Sequence, residues 1–481
     1  MKRHMQRHAV IAAVLIYAAA FGGSLAVRLS MPVEMTATDV GRIMQARVHK
    51  IVSVRNTEDI AEALAEAKRK GLKIAVSGTR HSQGGQTMFE GAIVLDMRPY
   101  RQVLELDVQR RIIRVQSGAT WAQIQERIHP HGLAIRVMQS SNIFTVGGSL
   151  SANVHGRDPR EGPLIDTVES FRLMTADGRI LNVSRTENEE LFPLVIGGYG
   201  LFGVVLDVDL RLTADEVYAE YTEPLDYNIF PDYFQRNILS SDNVGLAFAR
   251  LSTAPNSFLK EMYVTRYERT NERLPDDRQG LKEESAVEAT KFLFGLSRKF
   301  DWGKELSWSL QKRLFSAEPG ALISRNNAMR PEIEFLEYRD TQKTDLLQEY
   351  FIPTDRFVPF VDQLRDIVRR YRLNLVNITV RYVPENEEAV LSYARGDRFA
   401  LVLLLNHKTS DTEIHRLEEA TRQMVGAAID HGGSYYLTYQ LFPTKDQLLS
   451  AYPSAEMFFR LKTKWDPENL FMNEFYARYA S

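Results

Sequence analysis

The chain has 481 residues, too long for one ordinary core, so two or three domains are expected. Hydrophobic residues make up 44% and charged residues 25%, and 60 basic against 62 acidic residues leave a net charge of -2, which gives no footing for a nucleic-acid partner. There is no cysteine, which excludes disulfides, thiolate metal sites and a cysteine nucleophile together.

At the N-terminus Lys2, Arg3 and Arg7 precede an uncharged apolar run at 9–27, closed by Arg28. About 20 apolar residues suffice to cross a bilayer. The positive flank stays in the cytoplasm, so the remainder faces the other side. Two readings are open. One is an uncleaved membrane anchor; the other is a signal peptide cut near small residues such as Ala18 or Ser24. Either way the protein is expected to be membrane-anchored or periplasmic, and residues 1–30 are set apart from the fold.

Residues 57–71 predict an amphipathic helix. Thr57 suits the N-cap, Glu58 and Asp59 the first turn, Lys68, Arg69 and Lys70 the last, and Gly71 the stop. Strands are predicted at 73–77 and 92–97, on either side of a Gly-rich loop at 78–86. Residues 104–107 and 111–116 alternate as paired strands, and 120–128 reads as a short helix capped by Thr120. Strands at 170–174 and 179–183 flank Ala176-Asp177-Gly178, a hairpin signal. Another strand is predicted at 204–212. From about 216 aromatics rise, and 271–284 is charged and turn-prone. Helices are then predicted at 359–371 and 412–431, with strands at 373–383 and 399–405. The fold class is α+β, with one unit at 31–215, a second at 216–450 and a closing segment at 451–481.

Three Gly-rich stretches carry candidate chemistry. The first, Ser77-Gly78-Thr79-Arg80-His81-Ser82-Gln83-Gly84-Gly85-Gln86, follows a strand. Its glycines let backbone N–H groups face an anion, a diphosphate above all. The second, running from Thr145 to Gly156, is rich in small residues that admit a flat ligand; taken alone it reads as a packed strand and turn. In the third, Gly198, Gly200 and Gly203 satisfy G-x-G-x-x-G. A strand, not a helix, is predicted after it, so the dinucleotide fingerprint is rejected.

In this order and spacing the three stretches resemble the FAD-linked oxidases of the vanillyl-alcohol-oxidase class, which share a PCMH-type FAD-binding domain. The likeness covers about 45–215 and returns at Trp465-Asp466-Pro467-Glu468-Asn469-Leu470-Phe471-Met472-Asn473. It implies a PCMH-type FAD-binding domain, a mixed α+β substrate or cap domain, and a C-terminal segment that returns to the FAD domain. It also implies that Ser77, Gly78, Thr79, Arg80, His81, Ser82 and Gln83 wrap the diphosphate. Ser141, Thr145, Gly148, Ser151, Asn153 and His155 would line the diphosphate and isoalloxazine, with Val205 at the adenine end. His81 stands where sugar, lactone and cytokinin oxidases bond histidine to the flavin; non-covalent FAD is the alternative. A neutral imidazole is a competent nucleophile, and Arg80 beside it is expected to favour that form. Without cysteine at most one bond is available.

In the second half, Gln348-Glu349-Tyr350-Phe351-Ile352-Pro353 resembles the strand that brings a glutamate to the flavin in alditol and lactone oxidases. Phe351 replaces the basic residue that often follows, which speaks against a plain polyol. Arg381, in an alternating strand, and Asn406, ending an apolar one, are further candidates. Residues 432–440 with Tyr452-Pro453 resemble decaprenylphosphoryl-ribose oxidases, but Tyr439 and Gln440 replace their Lys-Asp pair. Glu349, Arg381 and Tyr439 are thus the expected catalytic residues. His129 and His131 read as a surface turn, and no H-E-x-x-H spacing supports a metal site. The expected function is oxidation of a small alcohol, sugar or lactone, with electrons passed to oxygen, a quinone or another carrier. The rivals are amine oxidation, from the likeness of the run at 81–86 to cytokinin dehydrogenases, and a membrane-tethered electron relay.

Overall fold

The computed structural model describes residues 35–283, 287–315, 318–330, 338 and 340–480. The apolar run at 9–27 lies outside them. Among the described residues no helix is long and apolar enough to cross a membrane.

The first layer is a small parallel sheet. The antiparallel pair β1 (Met35–Thr38) and β2 (Gln45–Val48) leads into β3 (Lys50–Ser53). With β4 (Ile74–Ser77) and β5 (Ile93–Asp96) it forms a sheet in the order β3-β5-β4. Parallel strands need a crossover. The helix Thr57–Lys70 makes the first one. Its N-cap is Asn56, one residue before the expected Thr57. The Asn56 side chain accepts from the Asp59 N–H, and Asp59 accepts from the Asn56 N–H, a capping box that stabilises by about 1 kcal/mol. Gly71 ends the helix at φ 66. Ile60, Ala63, Leu64 and Ala67 recur at helical spacing and are buried. Covering Ile60 and Leu64 contributes about 1.5–3 kcal/mol each. All of β5 is buried, as a strand covered on both faces should be. The second crossover, from β4 to β5, contains no helix: residues 78–92 make it as a loop.

The second layer is antiparallel. It contains β6 (Val103–Asp107), β7 (Ile112–Gln116), β8 (Leu133–Ile135), β9 (Val168–Met174), β10 (Ile180–Ser184) and β11 (Val204–Ala214). The order is β10-β9-β11-β7-β6, with β8 on the far end of β11. Asp177-Gly178 turns β9 into β10, with Gly178 at φ 87.

The third layer has eight strands: β12 (Val217–Asp226), β13 (Val244–Leu251), β14 (Glu261–Arg269), β15 (Ala321–Ser324), β16 (Lys343–Pro353), β17 (Leu375–Val383), β18 (Arg398–Lys408) and β19 (Ser434–Tyr435). They run in the order β15-β12-β14-β13-β17-β18-β16-β19. The helices Phe357–Arg370 and Asp411–Asp430 pack on this sheet through Phe360, Leu364, Leu417 and Met424, all buried. Side chains alternate along a strand. Gln348 and Tyr350 turn toward these helices: Gln348 Nε2 donates to Thr421 Oγ1 at 2.7 Å, and the Tyr350 ring lies 5.9 Å from Phe360. Glu349 and Phe351 therefore turn to the opposite face.

The chain closes on its own beginning. After the helix Ala455–Trp465, the Ile74 N–H donates to the Leu470 carbonyl at 2.7 Å and the Met472 N–H to the Ile74 carbonyl at 2.9 Å. Asp466 holds this segment. It is buried, accepts from the N–H groups of Leu470 at 2.9 Å and Phe471 at 2.8 Å, and pairs with Lys462 at 2.8 Å.

Candidate active site

Strand β4 ends at Ser77 and the chain enters the helix-free crossover. Among the described residues no group accepts from the backbone N–H of Gly78, Thr79, Arg80, His81 or Ser82. Arg80 takes the left-handed φ of 58. A left-handed residue within such a run turns successive N–H groups to one side, the geometry of an anion nest. Gly78 lets this loop touch the second Gly-rich stretch: a Cβ there would lie 2.1 Å from Thr145 Oγ1.

That second stretch contains a helix, Val146–Ala152, rather than a strand and turn. Thr145 caps it by accepting from the Gly148 N–H at 3.4 Å. The N–H groups of Val146 and Gly147 donate to the carbonyls of Ala119 and Ser117, both at 2.8 Å. The start of the helix is therefore already satisfied, and the unpaired donors belong to the loop at 78–82. The third stretch follows the short helix Phe192–Val195 and runs into β11, so it is no strand–turn–helix unit. Asn473 Nδ2 donates to the carbonyls of Gln86 at 3.2 Å and Tyr199 at 2.9 Å, clipping the first loop to the third stretch. Between these pieces lies an open cleft.

His81 sits at the edge of Phe144, with ring centroids 4.5 Å apart. Its Nδ1 is buried and has no hydrogen-bond partner among the described residues. Burial pulls the imidazole below its ordinary pKa, with the Thr79 carbonyl opposing. The neutral form thus arises from burial, not from the expected repulsion by Arg80.

On the outward face of β16, Glu349 and His155 meet. His155 Nε2 lies 2.6 Å from Glu349 Oε1, and both residues are buried. The Tyr439 hydroxyl donates to Glu349 Oε2 at 3.4 Å. Burial, and after it the Glu349 charge, pushes the Tyr439 phenol well above its ordinary pKa, so it stays a donor. Arg381 lies on β17, buried, and donates to Ser140 Oγ. Burial lowers its pKa, and the Glu349 charge opposes that. Aromatic rings wall the histidine: Phe351, Tyr393 and Tyr436 have centroids 5.5, 5.9 and 6.4 Å from it. The hydroxyls of Tyr393 and Tyr436 donate to the carbonyls of Asn153 at 2.6 Å and Ala152 at 2.9 Å, which fixes the turn that delivers His155.

Residues 48–184 match the family model of the FAD binding domain, and residues 255–479 match that of D-arabinono-1,4-lactone oxidase. The chain belongs to the FAD-linked oxidoreductases of the vanillyl-alcohol-oxidase class. It is 22% identical over 455 residues to decaprenylphosphoryl-β-D-ribose oxidase of Mycolicibacterium smegmatis, covering 90% of this chain and 94% of that protein. Two other relatives are matched over a shorter stretch. An uncharacterized oxidoreductase of the Rhodococcoides fascians fasciation locus is 32% identical over 37% of this chain and 40% of its own length. L-gulonolactone oxidase of Bos taurus is 28% identical over 35% and 38%.

The residues of this FAD-linked oxidoreductase fit the cofactor. A diphosphate needs donors, and the loop at 78–82 offers five backbone N–H groups that no described residue accepts from, beside a cleft. Of the residues singled out in the sequence, Ser77, Gly78, Ser82, Thr145, Gly148, Ser151 and Val205 line that cleft. Thr79, Arg80 and His81 belong to the unpaired loop. Gly200 of the G-x-G-x-x-G match lines the cleft too, as do Ser117, Gly147 and Tyr199; Gly147 and Tyr199 stand inside the Gly-rich stretches, while Ser117 carries no local signal.

Four of the expected flavin contacts also have protein partners. Gln83 Oε1 accepts from the Leu347 N–H at 2.9 Å and from Gln440 Nε2 at 2.8 Å, tying the loop to β16. Asn153 is the helix C-cap at φ 47, and its Oδ1 accepts from the Ile165 N–H at 3.0 Å. Ser141 Oγ accepts from the Ile143 N–H at 3.4 Å. His155 is bound to Glu349. Asn406 is apart from this group: its Nδ2 donates to Asp345 Oδ1 at 2.8 Å, four residues along β16 from Glu349, or about 13 Å at the usual strand rise.

Proposed function

We propose that this FAD-linked enzyme oxidises the CH–OH group of a small alcohol, sugar or lactone, with Glu349 as proton acceptor. The observation that carries the reading is the buried group of Glu349, His155 and Tyr439, joined to the FAD-binding segment by the turn that ends the helix Val146–Ala152. FAD, when bound, supplies the hydride acceptor at N5. Glu349 receives the hydroxyl proton, so that loss of hydride and proton together leaves a carbonyl. His155 holds one carboxylate oxygen at 2.6 Å. The other is only loosely held by Tyr439, at 3.4 Å, which leaves room for a substrate hydroxyl to bond it. Tyr439 then donates to the substrate oxygen, and Arg381 supplies positive charge beside it.

The orphaned, neutral His81 Nδ1 supports a single covalent bond from that atom to the flavin. The leader at 2–28 supports attachment to, or export across, a membrane, and with it a quinone or another carrier as electron acceptor beside oxygen. The test of the reaction class is anaerobic bleaching of the flavin by a panel of polyols, sugars, lactones, hydroxy acids and amines. Bleaching by hydroxyl compounds is expected. Bleaching by amines alone would replace this reading with amine oxidation, and bleaching by none with an electron relay.

A further inference from the structure

The substrate face that carries Glu349 also gathers three arginines. Arg381 lies on β17 two residues from Thr379, and Thr379 stands directly opposite Arg250 of β13. Directly opposed residues and those two apart share one face of a sheet, so Arg250 and Arg381 point the same way. Arg157, two residues beyond His155, joins them. Its backbone carbonyl accepts from the Ala247 N–H at 2.9 Å, and its guanidinium lies over Phe248, 4.6 Å from the ring centre. Arg157 and Arg381 both donate to the one hydroxyl of Ser140.

Among the described residues none of the three forms an ion pair. Each has a buried Nε without a hydrogen-bond partner, and Arg381 as a whole is 8% exposed. Burial, and further the charges of Arg381 and Arg250, pull Arg157 down to about 10. The acid nearest in effect, Glu220, is engaged by Tyr267 at 3.5 Å and is pushed toward its neutral form by burial. Guanidinium groups do not shed their protons, and the buried Arg381 together with three buried, unpartnered Nε–H groups calls for a counter-charge. Arginine's planar fork suits phosphate and carboxylate oxygens above other partners.

We infer that the substrate carries an oxyanionic group, a phosphate or a carboxylate, which Arg157, Arg250 and Arg381 hold while its hydroxyl rests against Glu349. This rests on the alcohol-oxidation reading for the hydroxyl end and on the arginine cluster alone for the anionic end. Three guanidinium charges against the one carboxylate of Glu349 leave two positive charges. A phosphate monoester, near two negative charges at neutral pH, matches them better than a carboxylate does.

The test uses the FAD-loaded enzyme, whose diphosphate site is filled. Inorganic phosphate is titrated calorimetrically at constant ionic strength. Saturable binding is expected, weakened about tenfold or more by R250Q and by R157Q, the loss of one charge-assisted contact, and partly restored in R250K. Phosphate that does not bind the parent enzyme, or binds R157Q and R250Q as tightly, overturns the inference. If one variant loses its flavin, the other with the parent enzyme still decides. Anaerobic flavin reduction by ribitol, ribitol 5-phosphate and ribonate gives the second arm. The ester is expected to be the best substrate by kcat/KM, with the carboxylate next. Equal reduction by all three overturns the inference and leaves alcohol oxidation standing. Phosphate binding with no reduction by any hydroxyl compound leaves the oxyanion site standing and removes the alcohol reading.

Discussion

His155 Nε2 and Glu349 Oε1 approach to 2.6 Å across 194 residues of chain, one from the FAD-binding half and one from the substrate half. Neither position carries a local sign of the other. The pair fixes the orientation of the carboxylate, so His155→Gln is expected to slow flavin reduction about 10-fold to 100-fold while FAD content stays near that of the parent. Single-turnover reduction at the parent rate would reduce His155 to a packing residue.

His81 makes a visible prediction. Acid-precipitated enzyme should remain yellow in the pellet, and His81→Ala should release its flavin to the supernatant. Release from the parent protein as well would mean that the neutral, unpartnered Nδ1 serves non-covalent FAD instead.

Asp466→Asn is expected to destabilise the protein by about 3–5 kcal/mol, because it strips a fully buried Lys462 of its counter-charge. The same change weakens the acceptor for the Leu470 and Phe471 N–H groups that seat the closing segment on β4. Denaturant midpoints measure it, and a shift within experimental error would show that Asn469 and Tyr476, which also touch the ammonium, suffice.

Burial pushes the Asp39 carboxyl up to about 7 from 3.8, against the backbone N–H groups of Arg42 and its neighbours. The folded chain therefore keeps a proton that the unfolded chain releases. Stability from this group is full below about pH 4 and is lost as pH rises to about 7, at roughly 1.4 kcal/mol per unit. Asp39→Asn holds the neutral form, so its advantage over the parent should widen from pH 4 to pH 7 and then level off. Parallel stability profiles for the two proteins would contradict this.

Elements whose determinants are local were legible. The helix at 57–70, the Asp177-Gly178 hairpin and the strand after Gly203 all follow from caps, turns and alternation. Even there the cap moved to Asn56, whose reciprocal partner Asp59 stands three residues on. What escaped was set by distant contacts. Gln83 stands in a cofactor-like loop, yet β16 claims its side-chain oxygen. Asn406 shares its strand face with the site, but register places it opposite Asp345. Arg157 lies next to a Gly-rich stretch and shows its role only when β13 and β17 bring Arg250 and Arg381 beside it. The cause of His81 neutrality escaped too, because burial is a property of the folded chain and Arg80 was the only neighbour in view.

The most direct test of the central claim is rapid-reaction flavin reduction by Glu349→Gln under anaerobic conditions, with the best hydroxyl substrate of the parent enzyme. Full FAD occupancy is expected, with a reduction rate lower by about 10²- to 10⁴-fold, the usual worth of a positioned base. Reduction at the parent rate by the fully loaded variant would contradict it.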